Sequence, residues 1–580
     1  MAALVNALDN YTPKQIGENG HVEYGWSYDI REKITQFNFQ LVRTNSDSNL
    51  KTVLADMLTI LKHHTTSTSI VERELARGYL SMLYKMIGHT RDIIDGKGEY
   101  NLSYMMIYTW YNFYPELSKF ALLCLVDLGD RNIHQYGSWK DIKYFCDYVK
   151  SQTVGTNVLH PLIYYAIKLI NNQISKDYEK MLINSNEISL VAKWAPREKS
   201  TFGWLYEQLA TDYFYYFLTT ANTIDRKQKA ILKCKTEYRK VLSSLNRKID
   251  TLQIKQCGQS WSSIDFNKVT SISITKQKKA FLNVNKSGES RFPDVSDRVQ
   301  CAENFNTHVQ NTIKNSGEIK GKRVGMADFT KQAVELIHGH NNQTEKDILN
   351  SQWRDNAITT CALGNMIAMV DVSGSMEGDP MNVAIALGLR IAEKSVLGKR
   401  IMTFSSKPTW VNLDGHDDFV SQVKVVKNAD WGMNTNFHAA LDLILNAIIE
   451  NKMSEEDVQD LVLVILSDMQ MDSGDASNKE VLYDTMKEKY QIAGIRVQGK
   501  PYKPPHILFW NLRSTNGFPS LSNQPNCSMM SGFSPALLNL FCDKGLDALQ
   551  SCTPWSLLEK SLENERYKIL ADKLSQEILM

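Results

Sequence analysis

The stretch MVDVSGSMEGDP, residues 369–380, carries an apolar run straight into a packet of small, hydroxyl-bearing and acidic side chains. A short apolar run with an acid at its tip reads as a buried strand opening into a loop, and the spacing that resumes near Met381 reads as the helix after it. The same rhythm recurs. The apolar runs are NMIAMVDV from Asn365, KRIMTFSS from Lys399, LVLVILSD from Leu461 and HILFWNLR from His506, with amphipathic helices expected near 381–395, 436–452, 477–492 and 553–576. Strands alternating with crossover helices predict an α/β doubly wound parallel sheet over about 360–580, covered on both faces. Ligands of such sheets gather at the carboxyl ends of the strands.

Asp371 lies at such an end. With Ser373 and Ser375 it presents three hard oxygens, while Gly374 and Gly378 permit a tight turn. WGMNTNFHAAL places Thr435 just before a helix, and LVLVILSDMQMD places Asp468 at the end of another apolar strand. Hard oxygens converging on one edge suit Mg2+ or another hard divalent cation. Capping of the following helix explains Asp371 and the serines but leaves Asp468 without a role.

The set Asp371, Ser373, Ser375, Thr435 and Asp468 resembles the metal-ion-dependent adhesion site of von Willebrand factor A domains. The resemblance implies Mg2+ held by the two Ser and the Thr oxygens, with the acids direct or through water. One position is then left for a partner's carboxylate or for water. A phosphotransferase of the haloacid dehalogenase type also ends a strand in Asp, but needs a second Asp two residues on, where this chain has Ser373. No Ser/His/Asp or Cys/His arrangement stands out elsewhere, so a non-enzymatic role is expected. Glu377 and Asp472 read as solvated or supporting groups near the site.

With 580 residues, 43% hydrophobic and 22% charged, the chain is expected to fold as two or three ordinary globular domains. From about 25 to 250 the spacing is helical: Leu50, Val53, Leu54, Met57, Leu58 and Leu61 share one face, and similar stretches follow at 71–87, 102–126, 139–150, 158–173 and 202–219. These predict an N-terminal α-helical repeat array over 1–350, without a fixed period. The part between about 255 and 350 reads as connecting loops with short helices.

Three strings in the helical half mix Trp or Tyr with Gly and Lys or Arg beyond what packing asks: RDIIDGKGEYNLSY (91–104), QYGSWKDIKYF (135–145) and VAKWAPREKS (191–200). With the metal-site domain behind them they resemble the Ro ribonucleoprotein autoantigen, in which a TROVE-type helical module precedes a von Willebrand factor A domain. YGSWKDI (Tyr136 to Ile142) resembles its Y-G-x-W-x-D-L motif. The chain is also similar to an uncharacterised domain-of-unknown-function family of plants, fungi and large DNA viruses. Arg91, Asp92, Gly96, Lys97, Gly98 and Glu99 match that family's first string, Lys193, Trp194 and Pro196 its second, and Tyr238, Arg239, Lys240 and Leu242 its third. Asp95 and Tyr100 depart from the first string, which weakens any anion-binding role there.

The Ro resemblance implies binding of structured or single-stranded RNA. Between Asp225 and Arg291 there are 16 Lys or Arg against five acids, a surplus of 11 in a chain whose net charge is +2. That segregation suits phosphate contact, with Lys233, Lys235, Arg239, Lys240, Arg247 and Lys248 as candidate RNA-binding residues and Tyr238, Trp261 and Phe266 as candidate stacking surfaces. Trp139 and Trp194 read as core anchors. The nine cysteines are scattered singly, signalling neither a disulfide framework nor a zinc site. No run is long enough to span a bilayer. An intracellular, cytoplasmic, non-membrane scaffold is therefore expected, binding RNA and, at its Mg2+ site, an acidic-residue-bearing protein partner. The alternative is a structural or interaction component, of a virion if the chain comes from a large DNA virus, that uses the metal site without RNA.

Overall fold

The computed structural model describes residues 11–579 apart from 45, 131, 154, 156–157, 340–341, 430–431, 433–434, 473–479 and 543–545. Its C-terminal half is built on a six-stranded sheet. The strands are β3 (Met366–Asp371), β4 (Arg400–Phe404), β5 (Thr409–Asn412), β6 (Val462–Ser467), β7 (His506–Asn511) and β8 (Cys527–Ser531), in the order β5-β4-β3-β6-β7-β8. All neighbours are parallel except β4 and β5, so the expected parallel sheet is a mixed one with an antiparallel edge. Two short strands near the N-terminus, β1 (Lys14–Ile16) and β2 (Val22–Tyr24), form a separate antiparallel pair.

Alternation along the strands divides their side chains between two cores. Ala368, Val370, Val464 and Trp510 face one core with helices Met326–His338, Asp379–Lys394 and Phe419–Lys427. Met369, Phe404, Ile465 and Phe509 face the other with helices Phe437–Glu450 and Leu482–Gln498. Helix Asp379–Lys394 approaches β3 closely at Gly388, where an added Cβ would stand 2.5 Å from Val370 Cγ2.

The first half is helical as expected: Ser48–His64, Ile70–Arg91, Asn101–Tyr111, Pro115–Cys124, Trp139–Gln152, Pro161–Leu182 and Ile224–Ile249 share a third core. The segment expected to be connecting loops with short helices carries four helices of 11 to 19 residues, Ser271–Phe281, Ser296–Lys314, Met326–His338 and Gln343–Ala357. Side-chain caps from Thr270 and Asn342 start two of them, and the polar composition reflects exposed outer faces.

Packing crosses the boundary expected near 350–360. Helices Met326–His338 and Gln343–Ala357 contribute Phe329 and Trp353 to a sheet core, whereas Trp555, Tyr567 and Leu570 from the C-terminal end pack into the helical core. The sequence strings of the helical half act as fasteners in this packing. Arg91 makes a buried bidentate pair with Asp141 at 2.5 and 2.9 Å. Asp92 accepts two bonds from Arg566, at 2.6 and 2.7 Å. Lys97, only 3% exposed, donates to Asn38 O (2.7 Å), Leu41 O (3.2 Å) and Ser531 Oγ (2.7 Å), tying the end of helix Ile30–Gln40 to β8. Burial pushes the Lys97 ammonium down to about 7, against the pull of Glu99.

The cysteine reading needs correction. Cys361 and Cys542, 181 residues apart, are joined as a disulfide, a spatial pairing that single scattered positions do not announce. The expected intracellular location therefore draws no support from the cysteine spacing. Among the described residues no helix is long and apolar enough to cross a membrane.

Candidate metal centre

β3 and β6 are adjacent and parallel, so their carboxyl ends deliver Asp371 and Asp468 to the same edge of the sheet. Neither carboxylate is exposed to solvent. Asp371 Oδ1 accepts from the Ser373 amide at 2.9 Å, and Oδ2 accepts from the Ser467 hydroxyl at 2.6 Å. The hydroxyls of Ser373 and Ser375 lie 3.2 Å apart. Asp468 Oδ1 accepts from the Gln470 amide at 3.1 Å, and its Oδ2 lies 3.3 Å from Arg513 Nη1. Between them Met469 takes a left-handed φ of 65°, a conformation that non-glycine residues adopt only where the surroundings enforce it. On the β3 side only Gly378 takes a positive φ, at 98°; Gly374 opens a 3-10 turn instead.

Thr435 reaches the edge by a different route. The Asn436 amide donates to Ser405 O just beyond β4, at 2.9 Å. The Thr435 amide donates to Asp472 Oδ2 at 2.8 Å, and the Asp472 amide returns a bond to Thr435 O at 3.1 Å. Asp472 is thus a supporting group that ties the loop before helix Phe437–Glu450 to the loop after β6. Glu377 is exposed. The Thr435 hydroxyl is buried and has no hydrogen-bond partner among the described residues.

The electrostatics follow from this crowding. Burial, then the neighbouring Asp468, push the Asp371 carboxyl up to about 7, against hydrogen bonds from Ser373 and Ser467. Burial also raises Asp468, while the Gln470 amide, Arg513 and the Ser375 hydroxyl pull the other way. Two desolvated carboxylates, two neighbouring serine hydroxyls and a buried unpartnered threonine hydroxyl make a donor set of hard oxygens that fits a divalent cation. Among the described residues no three His, Cys, Asp or Glu side chains gather as a metal cluster, so the set depends on its hydroxyls.

Two charged participants were not visible in the sequence reading. Arg513, two residues beyond β7, donates to Ser375 O at 3.1 Å as well as facing Asp468. Its Nη2 lies 3.3 Å from Glu18 Oε2, which arrives from the turn between β1 and β2. The Arg at the tip of HILFWNLR was a positional signal for the first; nothing local marks Glu18.

The candidate RNA-binding residues lie on or near one long helix, Ile224–Ile249, but most are engaged. Lys235 pairs with Glu207 at 2.5 Å, Arg239 with Glu198 at 3.6 Å and Lys240 with Glu237 at 2.8 Å. Lys233 lies 3.9 Å over the Phe217 ring, and Lys248 donates to Asn184 at 2.5 Å. Arg247 is exposed without a carboxylate partner among the described residues, as are Arg226, Lys227 and Lys229. The stacking expectation fails for Tyr238 and Phe266, which are buried: Tyr238 continues the apolar stripe of Cys234, Leu242 and Leu245 and donates to Asn171. Trp261 is half-buried against the Arg298 guanidinium, 3.8 Å from its ring. Trp139 packs on the helical core, whereas Trp194 is half-buried beside Lys140, Lys143 and Lys193.

The chain is thus a helical protein with a C-terminal mixed α/β sheet bearing an acidic, hydroxyl-rich edge. Residues 365–574 match a family model described as Domain of unknown function (DUF7788), and residues 150–360 match one described as Domain of unknown function (DUF2828). The chain is also similar to Uncharacterized protein L728 of Acanthamoeba polyphaga mimivirus, at 29% identity over 496 residues, covering 83% of this chain and 78% of that protein.

Proposed function

We propose that the protein is a non-enzymatic scaffold whose sheet edge is a Mg2+ site of the von Willebrand factor A type, through which it holds a protein partner. Asp371, Ser373, Ser375, Thr435 and Asp468 would hold the ion, and Asp472 would orient Thr435. Bound Mg2+ would neutralise the two buried carboxylates and offer a remaining position to an acidic side chain of the partner. The observation that carries this reading is the pair of fully buried carboxylates on adjacent strand ends, both pushed towards the neutral form and lacking enough positive charge to balance them. Arg513 supplies part of that balance and stands where a partner's acid would approach.

The test is affinity capture of interacting proteins from a lysate with Mg2+ or with EDTA, using native protein and the Asp468→Ala variant. A partner held only by native protein in Mg2+ supports the reading; a partner held equally in EDTA refutes it. The RNA-binding reading rests on the exposed face of helix Ile224–Ile249, where Arg226, Lys227, Lys229 and Arg247 keep their charge unpaired among the described residues. Steep salt dependence of RNA binding, reduced by replacing those residues with Gln, tests it.

A further inference from the structure

The three aromatic and basic strings of the helical half converge on one place. A cavity of about 460 Å³ opens between helices Asn101–Tyr111 and Trp139–Gln152 and the segment that precedes helix Ser48–His64, within the size range of small-molecule sites. Its lining includes Asp47, Tyr100, Lys140, Tyr144 and Tyr148. Tyr100 comes from the first string, Lys140 and Tyr144 from the second, and Trp194 of the third lies behind them.

Three chemistries meet in it. The first is aromatic surface: Tyr100 and Tyr144 are 37% and 40% exposed, a large apolar area for residues so placed. Tyr100 is pinned from within, because the Arg91 guanidinium lies 4.1 Å from its ring centroid and is itself clamped by Asp141. The second is positive charge. Lys140 Nζ stands 5.3 Å from the Tyr100 ring and 5.2 Å from the Tyr144 ring, and Lys143 Nζ stands 5.2 Å from Tyr144 and 4.9 Å from Phe202. Neither lysine has a carboxylate partner among the described residues, and Lys193 adds a third ammonium 5.6 Å from the Trp194 ring. The third is a carboxylate suited to hydroxyl groups: Asp47 is half-buried and, among the described residues, has no cation partner and accepts at its carboxylate only the Tyr148 hydroxyl, at 2.8 Å. The other acid of the lining, Glu99, is taken by Arg43 at 3.2 Å.

From this juxtaposition we infer that the cavity binds a ribonucleotide unit. The base stacks on Tyr100 and Tyr144, the phosphate meets Lys140 with Lys143 beside it, and the ribose hydroxyls meet Asp47. Aromatic faces accept any base, cations placed among them accept the phosphate, and a carboxylate accepts from vicinal hydroxyls, so the three groups together select ribonucleotide over deoxyribonucleotide. No residue of helix Ile224–Ile249 lines the cavity, so the inference does not depend on RNA binding there. The same chemistry is offered by a free mononucleotide and by a nucleotide of a single-stranded RNA.

The experiment measures binding of a labelled single-stranded oligoribonucleotide, its DNA counterpart and unlabelled AMP to the full chain, by fluorescence anisotropy at several salt concentrations. Native protein, Tyr144→Ala, Lys140→Gln and Asp47→Asn are compared, with circular dichroism to show that each folds. Loss of one stacked base predicts a weakening of about 5- to 150-fold for Tyr144→Ala. Lys140→Gln should lower the salt slope by about 0.7. Asp47→Asn should erase the preference for RNA over DNA. Competition by AMP assigns the site to a mononucleotide, and Tyr144-dependent RNA binding that AMP does not displace assigns it to an RNA chain; either supports the inference. No binding of any probe overturns it. So does RNA binding indifferent to all three variants but lost when Arg226, Lys227, Lys229 and Arg247 become Gln, an outcome that leaves the helix reading intact.

Discussion

Replacing Asp371 by Asn should stabilise the metal-free protein and abolish its response to Mg2+. The carboxyl is fully buried and pushed up to about 7 from an ordinary 3.8. Between those values the folded state keeps a proton that the unfolded chain has released. Metal-free stability therefore falls as pH rises through that window, and the whole penalty stands above pH 7. A rise from 3.8 to about 7 corresponds to about 4 kcal/mol. Asn is neutral at every pH and keeps an oxygen for the Ser373 amide, while the Ser467 hydroxyl must turn from donor to acceptor. Allowing about 1 kcal/mol for that exchange leaves a net gain of about 3 kcal/mol in EDTA at slightly alkaline pH. For the native protein, Mg2+ at about 100 times its Kd should add about 2.7 kcal/mol, and for the variant nothing. Urea unfolding of both proteins, with EDTA and with Mg2+, at mildly acidic and mildly alkaline pH, reads all of these differences. If Asp371 only caps the following turn, Asn should instead leave stability unchanged or lower it by about 1 kcal/mol, with Mg2+ irrelevant to both proteins. A variant less stable than native in EDTA above pH 7, or one still stabilised by Mg2+, would refute the reasoning.

Other predictions concern the frame around the site. Asp141→Asn strips the countercharge from buried Arg91 and should cost about 3–5 kcal/mol in chemical denaturation, with Arg91→Met plus Asp141→Leu recovering much of the loss. Lys97 sits below its ordinary pKa, so the folded state binds fewer protons than the unfolded chain above about pH 7, and stability should rise with pH from there towards 10. Lys97→Met should flatten that rise, which unfolding curves across the range will show. Gly388→Ala puts a methyl 2.5 Å from Val370 Cγ2 and should cost about 1–3 kcal/mol, read from thermal unfolding.

Strands β3, β4, β6 and β7 were legible because their apolar runs are buried on both faces, and the acids at the tips of β3 and β6 gave away the edge where ligands gather. β5 and β8 were not. β5 is a four-residue edge strand with two exposed positions, and CSMMS in β8 has no β-branched residue to mark it. The helices between 271 and 357 were hidden by exposed polar faces that read as loop composition. Tyr238 and Phe266 misled in the opposite sense: both lie in a basic stretch and look like stacking platforms, but Tyr238 falls on the inward stripe of its helix and Phe266 packs on Phe281 and Phe305. Arg513 and Glu18 needed the fold, because the strand order brings positions 495 residues apart to one carboxylate edge. The same holds for the cavity, whose aromatic and basic lining is assembled from strings that the sequence leaves tens of residues apart.

If the β3 and β6 ends hold a divalent ion through hydroxyls as well as carboxylates, removing one hydroxyl should be enough to weaken its binding. Isothermal titration of Mg2+ into native protein and into Thr435→Val reads this, because valine fills about the same space and removes only a buried hydroxyl that has no hydrogen-bond partner among the described residues. One Mg2+ should bind per native chain, and the variant, at least as stable as native in EDTA, should bind it far more weakly. Equal Mg2+ affinity in the two proteins, or no saturable binding to native protein, would contradict the metal assignment.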